Sequence, residues 1–155
     1  MRRKDREITD RAEIRQVIAD CDCCRLAFSV EGGAPYIVPL NFGIDDNGKT
    51  LYFHSASEGR KLDLLQQNPV VGFEMDTNHR LNKGDMPCKC SFRFSSIIGS
   101  GVVSILTDPA EKTAALQKIM EHYCGEDKYD FPAEMVSATT VLKLEITEMS
   151  CKKHL

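Results

Sequence analysis

This chain lacks three things, and each absence removes a class of function. It has no uninterrupted apolar run of the roughly 20 residues that would span a bilayer. Its opening, Met1-Arg-Arg-Lys-Asp-Arg-Glu7, has no apolar stretch of the kind a secretory signal requires. Nor are basic residues in excess: 20 Lys and Arg stand against 23 Asp and Glu, a net charge of −3, whereas a domain that binds nucleic acid is normally basic. The expectation is a cytoplasmic protein with neither a membrane nor a nucleic acid as partner.

Familiar cofactor and metal signatures are missing too. There is no P-loop and no His-Glu-x-x-His. Gly99-Ser-Gly101 begins like a dinucleotide fingerprint, but Ser104 occupies the third glycine position and a strand runs through the segment. Seven cysteines are an odd number, and without an export signal they are expected as mostly free thiols in a reducing compartment. Cys21, Cys23 and Cys24, with Cys88 and Cys90, lack the two-residue gaps of common zinc knuckles, so no metal site is expected.

The 155 residues, 42% apolar and 28% charged, are enough for a single domain over 1–155. At that size roughly 68–70% of the unfolded surface can be buried. Asp10 with Glu13 opens a helix bearing Ile14, Val17 and Ile18 on one face. Alternation then predicts strands at Arg25–Val30, Pro35–Gly43 and Thr50–Ser55, joined as a meander by Glu31-Gly-Gly-Ala34 and Asp45-Asp-Asn-Gly48. A short helix follows from Glu58 to Gln67, then a strand from Val70 to Met75 and another between Cys88 and Leu106. Asp108-Pro-Ala-Glu111 starts a third helix with Leu116, Ile119, Met120 and Tyr123 as its buried stripe, and Thr140–Ile146 is the last strand. Asp76–Pro87 and Gly125–Ser137 read as polar loops that would shape access to a site. About six mostly antiparallel strands with three helices make an α+β, mainly β, sheet or barrel.

Three local features call for a cause. Pro39 interrupts the core-patterned strand Tyr36, Val38, Leu40, Phe42, as it would on an edge strand or where a flat ligand lies against the backbone. Arg60 and Lys61 open a helix, where the dipole disfavours cations by about 0.3–1 kcal/mol each unless an anion joins them. A phosphate would suit the helix N–H groups, the two cations and the Ser55 hydroxyl, and His54 just upstream could touch a bound ring. Gly99 and Gly101 flatten one face of the long strand, fitting either a bent interior strand or a dimer contact.

Pro35-Tyr-Ile-Val-Pro-Leu-Asn-Phe42, Leu51-Tyr-Phe-His-Ser-Ala56 with Gly59-Arg-Lys61, Asn68-Pro-Val70 and Ser95-Ser-Ile-Ile-Gly99-Ser-Gly101 follow one another in order. In that order the chain resembles the pyridoxamine 5′-phosphate oxidase-like flavin-binding proteins, specifically their nitroimidazole-resistance branch. The resemblance implies an FMN-binding split β-barrel, a homodimer with flavin at the subunit interface, and a small-molecule substrate. It implies that Arg60 and Lys61, assisted by Ser55, hold the FMN phosphate. Val38, Pro39, Leu40 and Asn41 would run along the isoalloxazine ring, with His54 close to it as the catalytic candidate. Ser95 and Ser96 would approach from the interface strand. True pyridoxamine phosphate oxidases carry a basic residue where Asn41 stands and an Arg-x-His element near the C-terminus, where this chain has Met149-Ser-Cys-Lys-Lys-His-Leu155. That departure favours reduction of a flat acceptor such as a nitroaromatic over vitamin B6 oxidation. The alternatives are a non-catalytic binder of FMN, haem or a B6 vitamer, and a cysteine-based metal or redox sensor.

Overall fold

The stretch Tyr36–Ile44 decides the architecture. Instead of one strand it forms two, β3 (Tyr36–Leu40) and β4 (Phe42–Ile44), divided at Asn41. In the computed structural model, which describes residues 3–125 and 127–154, β3 pairs with β2 (Cys24–Phe28), whereas β4 pairs with β5 (Thr50–Ser55). With β6 (Val70–Asn82), β7 (Ser91–Leu106) and β8 (Thr140–His154), an antiparallel sheet links them in the order β3-β2-β6-β7-β8-β5-β4. Its two end strands are therefore separated by one residue of chain, and the sheet curls into a split barrel. The expected meander is corrected accordingly: β2 and β3 form one hairpin, β4 and β5 another, and β3 and β5 do not pair.

Two of the three long strands exceed their expected lengths, β6 running on to Asn82 and β8 to His154, while β7 falls within its expected span; a two-residue β1 (Glu7–Ile8) adds to β8. The supposed loop at Asp76–Pro87 is thus largely strand, pairing with β7 through a register shift between Thr77 and Arg80 where Asn78 takes φ 59°. The second supposed loop contains a short helix, α4 (Ala133–Ala138). Met1 and Arg2 of the basic opening, position 126 of that loop and Leu155 of the tail lie outside the described residues.

Helix starts follow local chemistry. Asp10 accepts the Glu13 N–H at 2.9 Å to open α1 (Arg11–Ala19), and Asp108 accepts that of Glu111 at 2.9 Å to open α3 (Pro109–Cys124). The interior is apolar and continuous: Leu26, Phe28, Phe42, Leu51, Phe53, Phe73, Met75, Ile97, Leu142 and Leu144 are all buried. Helix α3 packs on β4 and β5 so closely that a Cβ at Gly43 would stand 2.5 Å from the Ile119 nitrogen. Its buried residues are Lys112, Ala115 and Ile119; the expected Leu116 and Met120 are only half-buried and Tyr123 is exposed at 40%. The helix comes this close because Gly43 has no side chain to hold it off.

The glycine face of β7 proves to be internal. A Cβ at Gly99 would lie 2.5 Å from the Phe73 ring, and one at Gly101 would lie 2.4 Å from the Glu145 carbonyl, at the register shift between Ser100 and Gly101. These glycines bend an interior strand against its own core, so a dimer contact on that face is not what they serve.

Candidate functional site

Four residues separate the end of β5 from helix α2 (Arg60–Gln67), whose start has no side-chain cap. Gly59 caps it with φ 135°, a backbone that favours glycine, and nothing lies within 4 Å of where a Cβ would be. Among the described residues no side chain accepts the first N–H groups of the helix; that of Leu62 reaches the Gly59 carbonyl at 2.8 Å, which leaves those of Arg60 and Lys61 open. Arg60 is exposed and Lys61 half-buried, and neither pairs with a carboxylate among the described residues. The Arg60 guanidinium lies over the Tyr36 ring, 4.7 Å from its centroid, which ties the helix start to β3. Ser55 Oγ donates to the Ala56 carbonyl at 2.9 Å and would have to turn to donate to an anion. Open N–H groups, two uncompensated cations and a rotatable hydroxyl are the donor set a phosphate monoester needs.

Strand β3 is an edge strand, so the missing N–H of Pro39 breaks no second ladder. Val38 and Leu40 are half-buried against the core, while Pro39 and Asn41 are exposed on the opposite face. At the break the Tyr123 hydroxyl accepts the Phe42 N–H at 3.2 Å and donates to the Asp22 carbonyl at 2.9 Å. Burial pushes the Tyr123 phenol above its ordinary range, against the lowering effect of Asn41, so it stays protonated at neutral pH. His54 is exposed on β5 opposite Val141.

Ser95 and Ser96 are both buried but, as consecutive strand residues, face opposite sides of the sheet. Ser96 Oγ has no hydrogen-bond partner among the described residues. It lines a groove of about 600 Å³ with Asp76, Phe94, Ile98 and Lys152. There Lys152 Nζ sits 5.4 Å from the Phe94 centroid, and Asp76 holds Arg25 at 2.7 Å and His79 Nε2 at 2.9 Å. Phe94, Asp76 and Lys152 were not anticipated as site residues; Lys152 would have been found had the last strand been followed past Ile146. β7 stands three strand spacings from β3, roughly 14 Å along the sheet. The groove and the Arg60 corner are therefore separate within one chain.

All seven cysteines are free thiols. Burial pushes Cys21 up to about 12 and Cys151 up to about 11, and it raises Cys24 as well, so these three do not supply thiolate at neutral pH. Among the described residues no three His, Cys, Asp or Glu side chains are grouped to hold a metal, and no helix is long and apolar enough to cross a membrane.

Comparison with known proteins agrees with this geometry. The family described as pyridoxamine 5′-phosphate oxidase matches residues 10–153. A solved structure of a candidate 5-nitroimidazole antibiotic resistance protein from Bacteroides thetaiotaomicron is 33% identical, with TM-score 0.82 over 95% of this chain and 86% of that one. The flavocytochrome Anf3 from Azotobacter vinelandii superposes with TM-score 0.82 at 20% identity, covering 100% of this chain and 72% of its own. The FAD- and haem-binding protein from Mycobacterium smegmatis does so with TM-score 0.81 at 18% identity, covering 95% and 72%. These last two share the fold. No curated protein sequence matches the chain significantly.

Proposed function

Because the chain belongs to the pyridoxamine 5′-phosphate oxidase-like split-barrel family, with its 33% identical relative in the nitroimidazole-resistance branch, we propose that it is an FMN-dependent oxidoreductase acting on a small flat acceptor such as a nitroaromatic compound. One observation carries the reading: among the described residues Arg60 and Lys61 have no carboxylate partner, at a helix start without a side-chain cap beside an edge strand. Bound there, FMN would supply the electron chemistry that no side chain of this protein offers. Arg60 and Lys61 bind the phosphate and fix its position, with Ser55 as a third donor. The exposed edge formed by Pro39 and Asn41 offers main-chain groups and a flat surface to the ring. His54, exposed on β5, would give a hydrogen bond or a proton to a reduced acceptor.

The outer face of the sheet supports assembly with a second copy. Ile37, Val70, Ile98 and Val102 are exposed there at 58, 51, 53 and 39%. Gly72 and Ala27 beside them add no polar cover.

Titration with FMN, and in parallel with FAD, tests the proposal. The expected results are a flavin visible spectrum with a Kd in the micromolar range or below, and a mass in solution of twice 17.4 kDa. With FMN bound, reduction of a nitroimidazole by at least one of several reduced donors is expected. Flavin binding without turnover of any acceptor would leave a carrier, and no flavin binding at about 100 μM would overturn the reading.

A further inference from the structure

Lys112 is a charged residue in the wrong place for a surface helix. It lies on the first turns of α3, only 8% exposed, where its position in the buried stripe would suit an apolar side chain. An ammonium group has three N–H donors. Here Nζ gives one to the Ser137 carbonyl, at 3.2 Å, near the C-terminal end of α4, and has no other protein partner among the described residues. No carboxylate among the described residues pairs with it. An ammonium group drawn toward the interior is stabilised by an anion and by further hydrogen bonds, and here a single carbonyl supplies one bond.

The missing compensation has a place to stand. Lys112 lines a cavity of about 370 Å³ between α3 and α4, within the lower range of small-molecule pockets. The other walls include Pro109, Phe131, Ala133 and the buried Val136, so the space sets an apolar wall opposite a polar one made of the lysine, Thr107, Thr113 and Ser137. A positive pole in an apolar pocket selects a ligand with one negative head and a small apolar body.

We propose that this cavity binds a small monocarboxylate, aromatic or branched aliphatic, with its carboxylate on Lys112 and its hydrocarbon against Phe131 and Val136. The site lies outside the residues assigned to flavin and does not rest on the flavin reading. Because α4 is held to α3 through Lys112, a ligand there also fastens α4 against the barrel.

Benzoate is the probe, with benzyl alcohol as its uncharged counterpart. Calorimetric titration and thermal unfolding would be run on the flavin-free and the FMN-saturated protein. Benzoate at about 10 mM is expected to bind and to raise the Tm in both forms, as ligand binding to the native state requires, while benzyl alcohol leaves it unchanged. Lys112→Met, which keeps length and removes the charge, is expected to abolish the benzoate response by at least tenfold in affinity. Ala133→Leu, which narrows the cavity without touching the lysine, should weaken it too and serves if Lys112→Met does not fold. Absence of benzoate binding to the unaltered protein would overturn the proposal. So would a response that survives Lys112→Met, or one that disappears in Arg60→Ala/Lys61→Ala while Lys112→Met keeps it, since that would place the benzoate at the α2 corner.

Discussion

Gly99→Val is expected to leave little folded protein, whereas Gly72→Ala, one strand away, is expected to be neutral or stabilising. The two glycines face each other's strands but meet different surroundings. A Cβ at Gly99 would enter within 2.5 Å of both the Phe73 ring and the Glu148 carbonyl. One neighbour is a buried ring and the other a backbone atom of β8, so neither can swing aside. Overpacking of this sort costs typically 1–3 kcal/mol. Valine adds two further methyl groups to the same clash, so about 3 kcal/mol or more is expected. Against a total stability of about 5–15 kcal/mol, that moves a marginal domain toward unfolding. At Gly72 the same added carbon meets only the Ala27 methyl at 3.8 Å and the Gly99 carbonyl at 3.9 Å, ordinary contacts. The alanine then restricts the unfolded chain and stabilises by about 0.5 kcal/mol. Urea unfolding followed by circular dichroism checks both. A Gly99→Val midpoint close to that of the unaltered protein would mean that β7 does not pack on Phe73 as described.

That contrast also marks where sequence reading stops. The starts of α1 and α3 were legible because Asp10 with Glu13, and Asp108 with Glu111, are neighbours along the chain and act locally. β5 was legible from Thr50 to Ser55 because turn residues bound it on one side and a glycine-bearing loop on the other. The division at Asn41 was not legible: Tyr36, Val38, Leu40 and Phe42 keep one parity across it, and what changes is the partner strand, a tertiary fact. The far halves of β6 and β8 were missed for a related reason. Asp76–Asn82 and Thr147–His154 are too polar to show an apolar stripe, and they are held as strand by main-chain pairing to β7. Helix α4 is too short for periodicity to show. At the candidate site the cations and the serine were legible as a cluster within seven residues. The stacking of Arg60 on Tyr36 was not, since the two lie 24 positions apart and meet only when α2 folds against the edge strand. Lys112 escaped notice because a helix wheel cannot tell a lysine that reaches solvent from one enclosed by a later helix.

The corner at α2 makes the most demanding prediction about function, since the double substitution Arg60→Ala/Lys61→Ala separates binding from folding. Charge-assisted hydrogen bonds are worth about 1.5–3 kcal/mol each. Losing two of them from a phosphate is expected to weaken FMN binding at least 100-fold. The folded state should scarcely notice. Arg60 is exposed and its stacking on Tyr36 is worth about 0.5–1 kcal/mol, while removing two cations from the positive end of a helix returns about 0.3–1 kcal/mol for each. The urea midpoint of the flavin-free protein is therefore expected to stay nearly where it was. Riboflavin, which has the ring without the phosphate, sharpens the measurement. The unaltered protein should prefer FMN to riboflavin by about the factor that the double substitution removes, and the altered protein should bind the two alike. If FMN affinity held steady, or if riboflavin weakened in step with FMN, the loss would not lie at a phosphate and Arg60 and Lys61 would be ordinary surface cations on a strand-to-helix turn.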